Sequence, residues 1–217
     1  EEYVRPSRIV EGGAIVVKEA LSEPELIDFP GLGTLEAFNT DGLRSLAYTL
    51  QVPHMRERTL RYPGHIALMR VLRETGFFSK APITVQGATV RPLDVTAALL
   101  FPKWTFEEGE ADLTVMRVEA IGTKDGKRTQ LIWDLFDRYD PQTGYRSMSR
   151  TTAFPATIVA RRVLDRRITT PGVLPPEKLA ALPGLVDDVF AALRERGVRY
   201  TASSRVLADP GEGGARP

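Results

Sequence analysis

Two β-rich runs, residues 112–122 and 128–139, face each other across Asp125-Gly126. An Asp-Gly pair between two such runs is a strong hairpin signal, because a type I′ turn needs positive φ at both central residues. The middle of the chain is therefore an antiparallel sheet. In the second run Leu131, Trp133 and Leu135 alternate with Ile132, Asp134 and Phe136, so both faces are apolar and one carries an interior acid. After the turn at 141–144, residues 145–149 are expected to add a third strand in order, making a meander. Helices should cover one face, and a second subunit is the natural cover for the other.

Around this hairpin the periodicity is mixed. Residues 13–19, 26–29, 34–38 and 59–62 read as short strands separated by Gly and Pro. A helix capped by Thr40 or Asp41 is expected to run to about residue 50, and another over 65–75, closed by Gly76. Residues 83–90 read as a hairpin, and Pro92 opens a helix. Further helices are expected at 151–165 and 185–196, with a possible last strand at 198–206. The class is α+β: a mainly antiparallel mixed sheet with helices on one face.

The chain has 217 residues, 42% hydrophobic and 26% charged, ordinary values for a globular protein. Basic and acidic residues number 29 and 28, so no basic stripe marks a nucleic-acid surface, and neither nucleic acid nor membrane is expected as a partner. Cys is absent, which excludes thiolate metal sites, disulfides and a Cys nucleophile. With two histidines, His54 and His65, a His-rich metal site is excluded too, and no metal is expected. A cytoplasmic setting fits this composition. The opening Glu1-Glu2-Tyr3, without Met or a signal-peptide pattern, reads as the start of a fragment or processed piece.

The nearest match to a dinucleotide-binding glycine motif is Gly31-Leu32-Gly33, without the third glycine, and it reads as a turn. Two segments carry more. Asn39-Thr40-Asp41 sets an amide, a hydroxyl and a carboxylate together before a helix start, as a capping cluster or as a binding site. Arg61-Tyr62-Pro63-Gly64-His65 brings a guanidinium, a phenol and an imidazole to a strand–helix junction. An Arg fork there suits a substrate carboxylate, and a helix N-terminus favours an anion. The alternative is a structural ion pair with a helix-end histidine.

The runs at 33–44 (GTLEAFNTDGLR), 58–65 (RTLRYPGH), 72–78 (LRETGFF), 149–156 (SRTTAFPA) and 172–177 (GVLPPE) resemble the C-terminal portion of the saccharopine dehydrogenase and lysine 6-dehydrogenase family. The resemblance covers about residues 1–200. It implies a substrate-binding and dimerisation sheet domain at 1–150 and a helical return segment at 151–207, whose helices would pack on a Rossmann half absent from this chain. Residues 208–217, rich in Gly and Pro, are expected to be disordered.

The family implies an oxidoreductase acting on a CH–NH group of an amino acid with NAD or NADP, bound mainly by the absent half. This chain alone would then be inactive. The compact spacing between the 38–42 and 59–65 segments points to lysine 6-dehydrogenase, with saccharopine dehydrogenase, carboxynorspermidine dehydrogenase or a non-catalytic dimerisation module as alternatives. On that reading Arg61 holds the substrate α-carboxylate and Asn39 and Asp41 bind substrate amino or carboxylate groups. His65 or Tyr62 moves a proton, Thr151 and Thr152 at a helix start face the cofactor, and the protein is a homodimer.

Overall fold

Gly12 and Gly13, both at positive φ, join β1 (Ser7–Glu11) to β2 (Ala14–Lys18) in a tight hairpin. Both arms are β-prone, so a two-residue glycine turn between them was the signal for β1, which the reading of the 13–19 run alone leaves out. The computed structural model describes residues 2–208 and divides the chain into two units, Glu1–Phe106 and Glu107–Pro217. Residues 209–217 of the expected disordered tail lie outside the described residues.

The first unit continues with β3 (Glu25–Phe29), β4 (Gly33–Asn39), α1 (Leu46–Thr49), β5 (His54–Met55), β6 (Arg58–Arg61) and α2 (His65–Glu74). The hairpin of β7 (Ile83–Val85) and β8 (Ala88–Val90) and the helix α3 (Pro92–Trp104) follow. Its strands form antiparallel sheets ordered β2-β1-β5 and β3-β4-β6. Ile66 and Met69, one turn apart on α2, pack with Phe38 of β4 and with Leu21. Tyr3, Leu72 and Phe78 close the edge of this core. Burying each large side chain contributes roughly 1.5–3 kcal/mol.

The helix expected from Thr40 or Asp41 shrinks to the four residues of α1. Thr40 and Asp41 spend their side chains on Glu57 and Arg8 instead of on helix amides, and Arg44 at φ 50° breaks the helical path.

The second unit holds β9 (Leu113–Lys124), β10 (Lys127–Arg138), α4 (Ser147–Leu164), α5 (Pro176–Leu179), α6 (Leu185–Glu195) and β11 (Tyr200–Val206). The long hairpin is present: β9 and β10 pair over twelve residues, and Asp125 and Gly126 take φ of 52° and 74°. The meander is not. The strand beside β10 is β11, giving the order β11-β10-β9. Residues 145–149 form no strand: Tyr145 makes a single bridge to Asp140, and α4 already begins at Ser147. The cause is a cap from far away in sequence, since the Asp112 carboxylate accepts from the amides of Ser147 (2.6 Å) and Met148 (2.9 Å) and starts the helix there.

α4 and α6 cover one face of this sheet, where Leu135, Ile158, Ala192, Leu193 and Val198 form the core. The molecule is thus α+β with antiparallel sheets. The division at Phe106/Glu107 follows a different line from the functional boundary expected at residue 150. Among the described residues no helix is long and apolar enough to cross a membrane.

Candidate substrate-binding site

In β6 Arg61 stands opposite Glu36 of β4, and Thr59 stands opposite Phe38. Successive strand residues point to opposite faces, so Arg61 lies on the face of Phe38 that α2 covers. Asn39 and Arg58, also paired across these strands, take the other face. The chain then turns through Pro63-Gly64, with Gly64 at φ 93°, and enters α2 at His65. The Gly64 amide donates to the Glu36 carboxylate (3.0 Å). This short connection is what holds Arg61 and His65 near each other.

The third member of the cluster is Tyr3. Its hydroxyl lies 3.0 Å from His65 Nε2, with the rings 5.5 Å apart. Its ring stacks on Phe78 at 6.1 Å. Arg61 donates from Nη1 to the Leu60 carbonyl (2.8 Å) and from Nη2 to the Glu2 carboxylate. Burial, helped by the positive Arg61, pushes the His65 imidazole below its ordinary range. Burial raises the Tyr3 phenol, against the opposing pull of Arg61. Near neutral pH the cluster therefore holds a charged fork, a neutral imidazole and a protonated phenol. Such a set can bind a carboxylate and pass a proton between phenol and imidazole.

Tyr62, the phenol expected at this position, is 64% exposed; Tyr3 takes the place beside His65. Tyr3 lies 62 residues away in sequence, and no local pattern announces it.

Asn39 and Asp41 are buried elsewhere. The Asn39 amide donates to Ser22 Oγ (3.2 Å) and Glu23 Oε2 (3.1 Å), on the face opposite Arg61. The Asp41 carboxylate receives both Nε and Nη2 of Arg8 at 2.8 Å. Thr40 shares hydrogen bonds with Glu57 and Thr59, and the Gly42 amide donates to Glu57 (3.0 Å). A Cβ on Gly42 would run into that Glu57 carboxylate, so only glycine lets the carboxylate reach the amide. The 39–42 run thus ties strand ends together with groups the protein itself supplies.

The Arg8 guanidinium holds the Asp41 carboxyl below the usual carboxylate range. A folded value below the unfolded one, about 3.9, means this contribution to stability is present above that pH and is lost as the pH falls through the folded value. Asp41→Asn is therefore expected to lower Tm at pH 7 and to flatten the acid limb of the Tm–pH curve. A mutant curve parallel to the wild type from neutral to acid pH would contradict this role.

Thr151 and Thr152 do not stand at a helix start. They lie a turn inside α4, where Thr151 Oγ1 donates to the Ser147 carbonyl (2.9 Å). The amides that do open α4 are taken by Asp112. Gly31 and Gly33 belong to the β3–β4 hairpin turn, not to a strand-to-helix turn. These residues do not fit a dinucleotide pyrophosphate, which needs a glycine turn at a helix N-terminus. Among the described residues no three His, Asp or Glu side chains are grouped to hold a metal ion.

The saccharopine dehydrogenase C-terminal domain model matches residues 1–198. The chain belongs to this family. It is 33% identical over 133 residues to saccharopine dehydrogenase [NADP(+), L-glutamate-forming] of Schizosaccharomyces pombe, covering 61% of this chain and 28% of that protein. It is 27% identical over 172 residues to carboxynorspermidine synthase of Vibrio cholerae, covering 73% of this chain and 40% of that one. The chain thus spans well under half the length of these curated relatives, and its family members include oxidoreductases of amino-acid substrates.

Proposed function

We propose that this chain is the substrate-side domain of a nicotinamide-dependent oxidoreductase acting on a CH–NH group of an amino acid. The observation that carries the reading is Arg61, a fork two-thirds buried beside Tyr3 and His65, with one arm already holding a carboxylate. Arg61 binds the substrate carboxylate. His65, neutral and hydrogen-bonded to Tyr3, accepts the proton released from the substrate nitrogen. Hydride acceptance is the cofactor's part. NAD or NADP would bind mainly to a Rossmann half outside this chain, and this chain alone would not turn over.

Lysine 6-dehydrogenase activity is the finer proposal. The relatives, a saccharopine dehydrogenase and a carboxynorspermidine synthase, favour a second reading, in which the substrate is a secondary amine such as saccharopine or carboxynorspermidine. Both readings use the same carboxylate contact. We also propose a cytoplasmic homodimer, in which a second copy covers the sheet face that α4 and α6 leave open, where Phe136 is 38% and Ile121 51% exposed.

The test is an assay of the full-length protein with lysine, saccharopine and carboxynorspermidine, each with NAD and NADP. Reduction of the cofactor with one of the three supports the proposal and names the substrate. No turnover with any of them would leave the non-catalytic module as the better reading.

A further inference from the structure

In the second unit an open groove of about 460 Å³ runs between α6 and the β10–β11 pair. Small-molecule sites typically occupy ~300–1,000 Å³ and are lined by aromatic side chains with a few polar groups. Trp133, Tyr200 and Ala202 line the sheet side, and Asp187, Phe190 and Arg194 the helix side. Ala202 is the register partner of Trp133, and its methyl group leaves room beside the indole. The Phe190 ring of the helix side and the Tyr200 ring of the sheet side meet at 5.1 Å.

Asp187 and Arg194 are seven residues apart on α6, two turns on the same side and about 10 Å along the axis. Neither side chain makes an ion pair or hydrogen bond with another described residue. An acid in the first turn and a base in the last complement the helix dipole. That accounts for the ends they occupy, not for both of them flanking one aromatic groove.

We propose that this groove binds an elongated zwitterion: a small molecule with an ammonium group at one end, a carboxylate at the other and an aliphatic body between them. The Arg194 fork takes the carboxylate. Asp187 takes the ammonium, beside aromatic faces that attract a cation. The aliphatic body lies along Trp133 and Phe190. All the residues that line the groove belong to the second unit, and the proposal does not depend on the function proposed above.

The probe is 6-aminohexanoate, with hexanoate and hexylamine as its two halves. In the 217-residue chain carrying Trp104→Phe, Trp133 is the sole tryptophan, so its fluorescence reports this groove. Saturable binding of 6-aminohexanoate is expected, with each half-molecule about tenfold weaker, the loss of one charge-assisted contact. Arg194→Gln should weaken 6-aminohexanoate by about tenfold and leave hexylamine unchanged. Asp187→Asn should do the converse with hexanoate, and Arg61→Lys should change none of these. No saturable response at millimolar 6-aminohexanoate, equal affinity for all three probes, or loss of the response in Arg61→Lys would each overturn the proposal.

Discussion

Arg61→Lys in the full-length protein is expected to raise KM for the amino-acid substrate roughly ten- to a hundredfold while leaving cofactor affinity little changed. Lysine keeps the charge but loses the planar fork, so a two-point carboxylate contact becomes a single one. The loss is about 1.5–3 kcal/mol, the range for a charge-assisted hydrogen bond, which gives that factor in affinity. The structure also supplies the competing account in full. Arg61 already donates to the Leu60 carbonyl and to the Glu2 carboxylate, so it could serve only to tie the N-terminal segment to β6. Under that account Arg61→Lys lowers Tm with near-normal KM, and Glu2→Gln lowers Tm by a similar amount. Under the substrate account Glu2→Gln frees one arm of the fork and leaves KM equal or lower. Measuring KM and Tm on both variants separates them, and an unchanged KM in Arg61→Lys would remove the carboxylate assignment.

Arg150→Met should be the most damaging single change to the second unit. Arg150 and Asp137 are both nearly enclosed, with side chains 8% and 6% exposed, and lie 3.5 Å apart. Arg150 also meets Asp140 at 3.4 Å and donates to the Arg196 carbonyl at 3.0 Å, so one side chain on α4 ties β10 to the end of α6. Removing it leaves the Asp137 carboxylate buried with Ser147 Oγ (2.7 Å) as its remaining partner. Breaking a buried pair from one side costs about 3–5 kcal/mol. For a unit of this size that is a fall in Tm on the order of 15 °C or more. Because most of the cost is the stranded charge, adding Asp137→Asn to Arg150→Met should restore part of the loss. Thermal unfolding followed by tryptophan fluorescence reads both. A double mutant no more stable than Arg150→Met, or a single-mutant loss under about 1 kcal/mol, would show that the charge on Asp137 is not what Arg150 stabilises.

Much of the fold was legible from local pattern. The β9–β10 hairpin follows from Asp125-Gly126 between two β-rich runs, and α2 from Ile66, Met69 and Leu72 at helical spacing with Gly76 behind them. Arg61 and His65 were legible as neighbours too, since three residues of tight strand–helix turn separate them. What went unread depends on residues distant in sequence. The start of α4 was misplaced because its cap, Asp112, lies 35 residues upstream. The 39–42 run looked like a cap or a ligand set because its partners, Arg8, Ser22, Glu23 and Glu57, lie 15 to 33 residues away.

The sequence by itself determined the elements whose hydrogen bonds and apolar faces are satisfied within a few residues: the hairpins, α2, α6 and the α+β class they add up to. It also determined the chemistry available, a cysteine-free chain with two histidines and a guanidinium set at a strand–helix junction. Only the tertiary structure decided which strand completes the sheet and which polar groups are free. β11 reaches β10 after a separation of more than sixty residues, and Tyr3 reaches His65 across a similar distance. The physical reason is that these pairings are chosen by burial. Leu135, Val198 and Tyr200 close one core together, and Tyr3 closes another against Phe38 and Phe78. Once those surfaces are dry, the polar groups at their edges take whatever partner the packing has brought within reach.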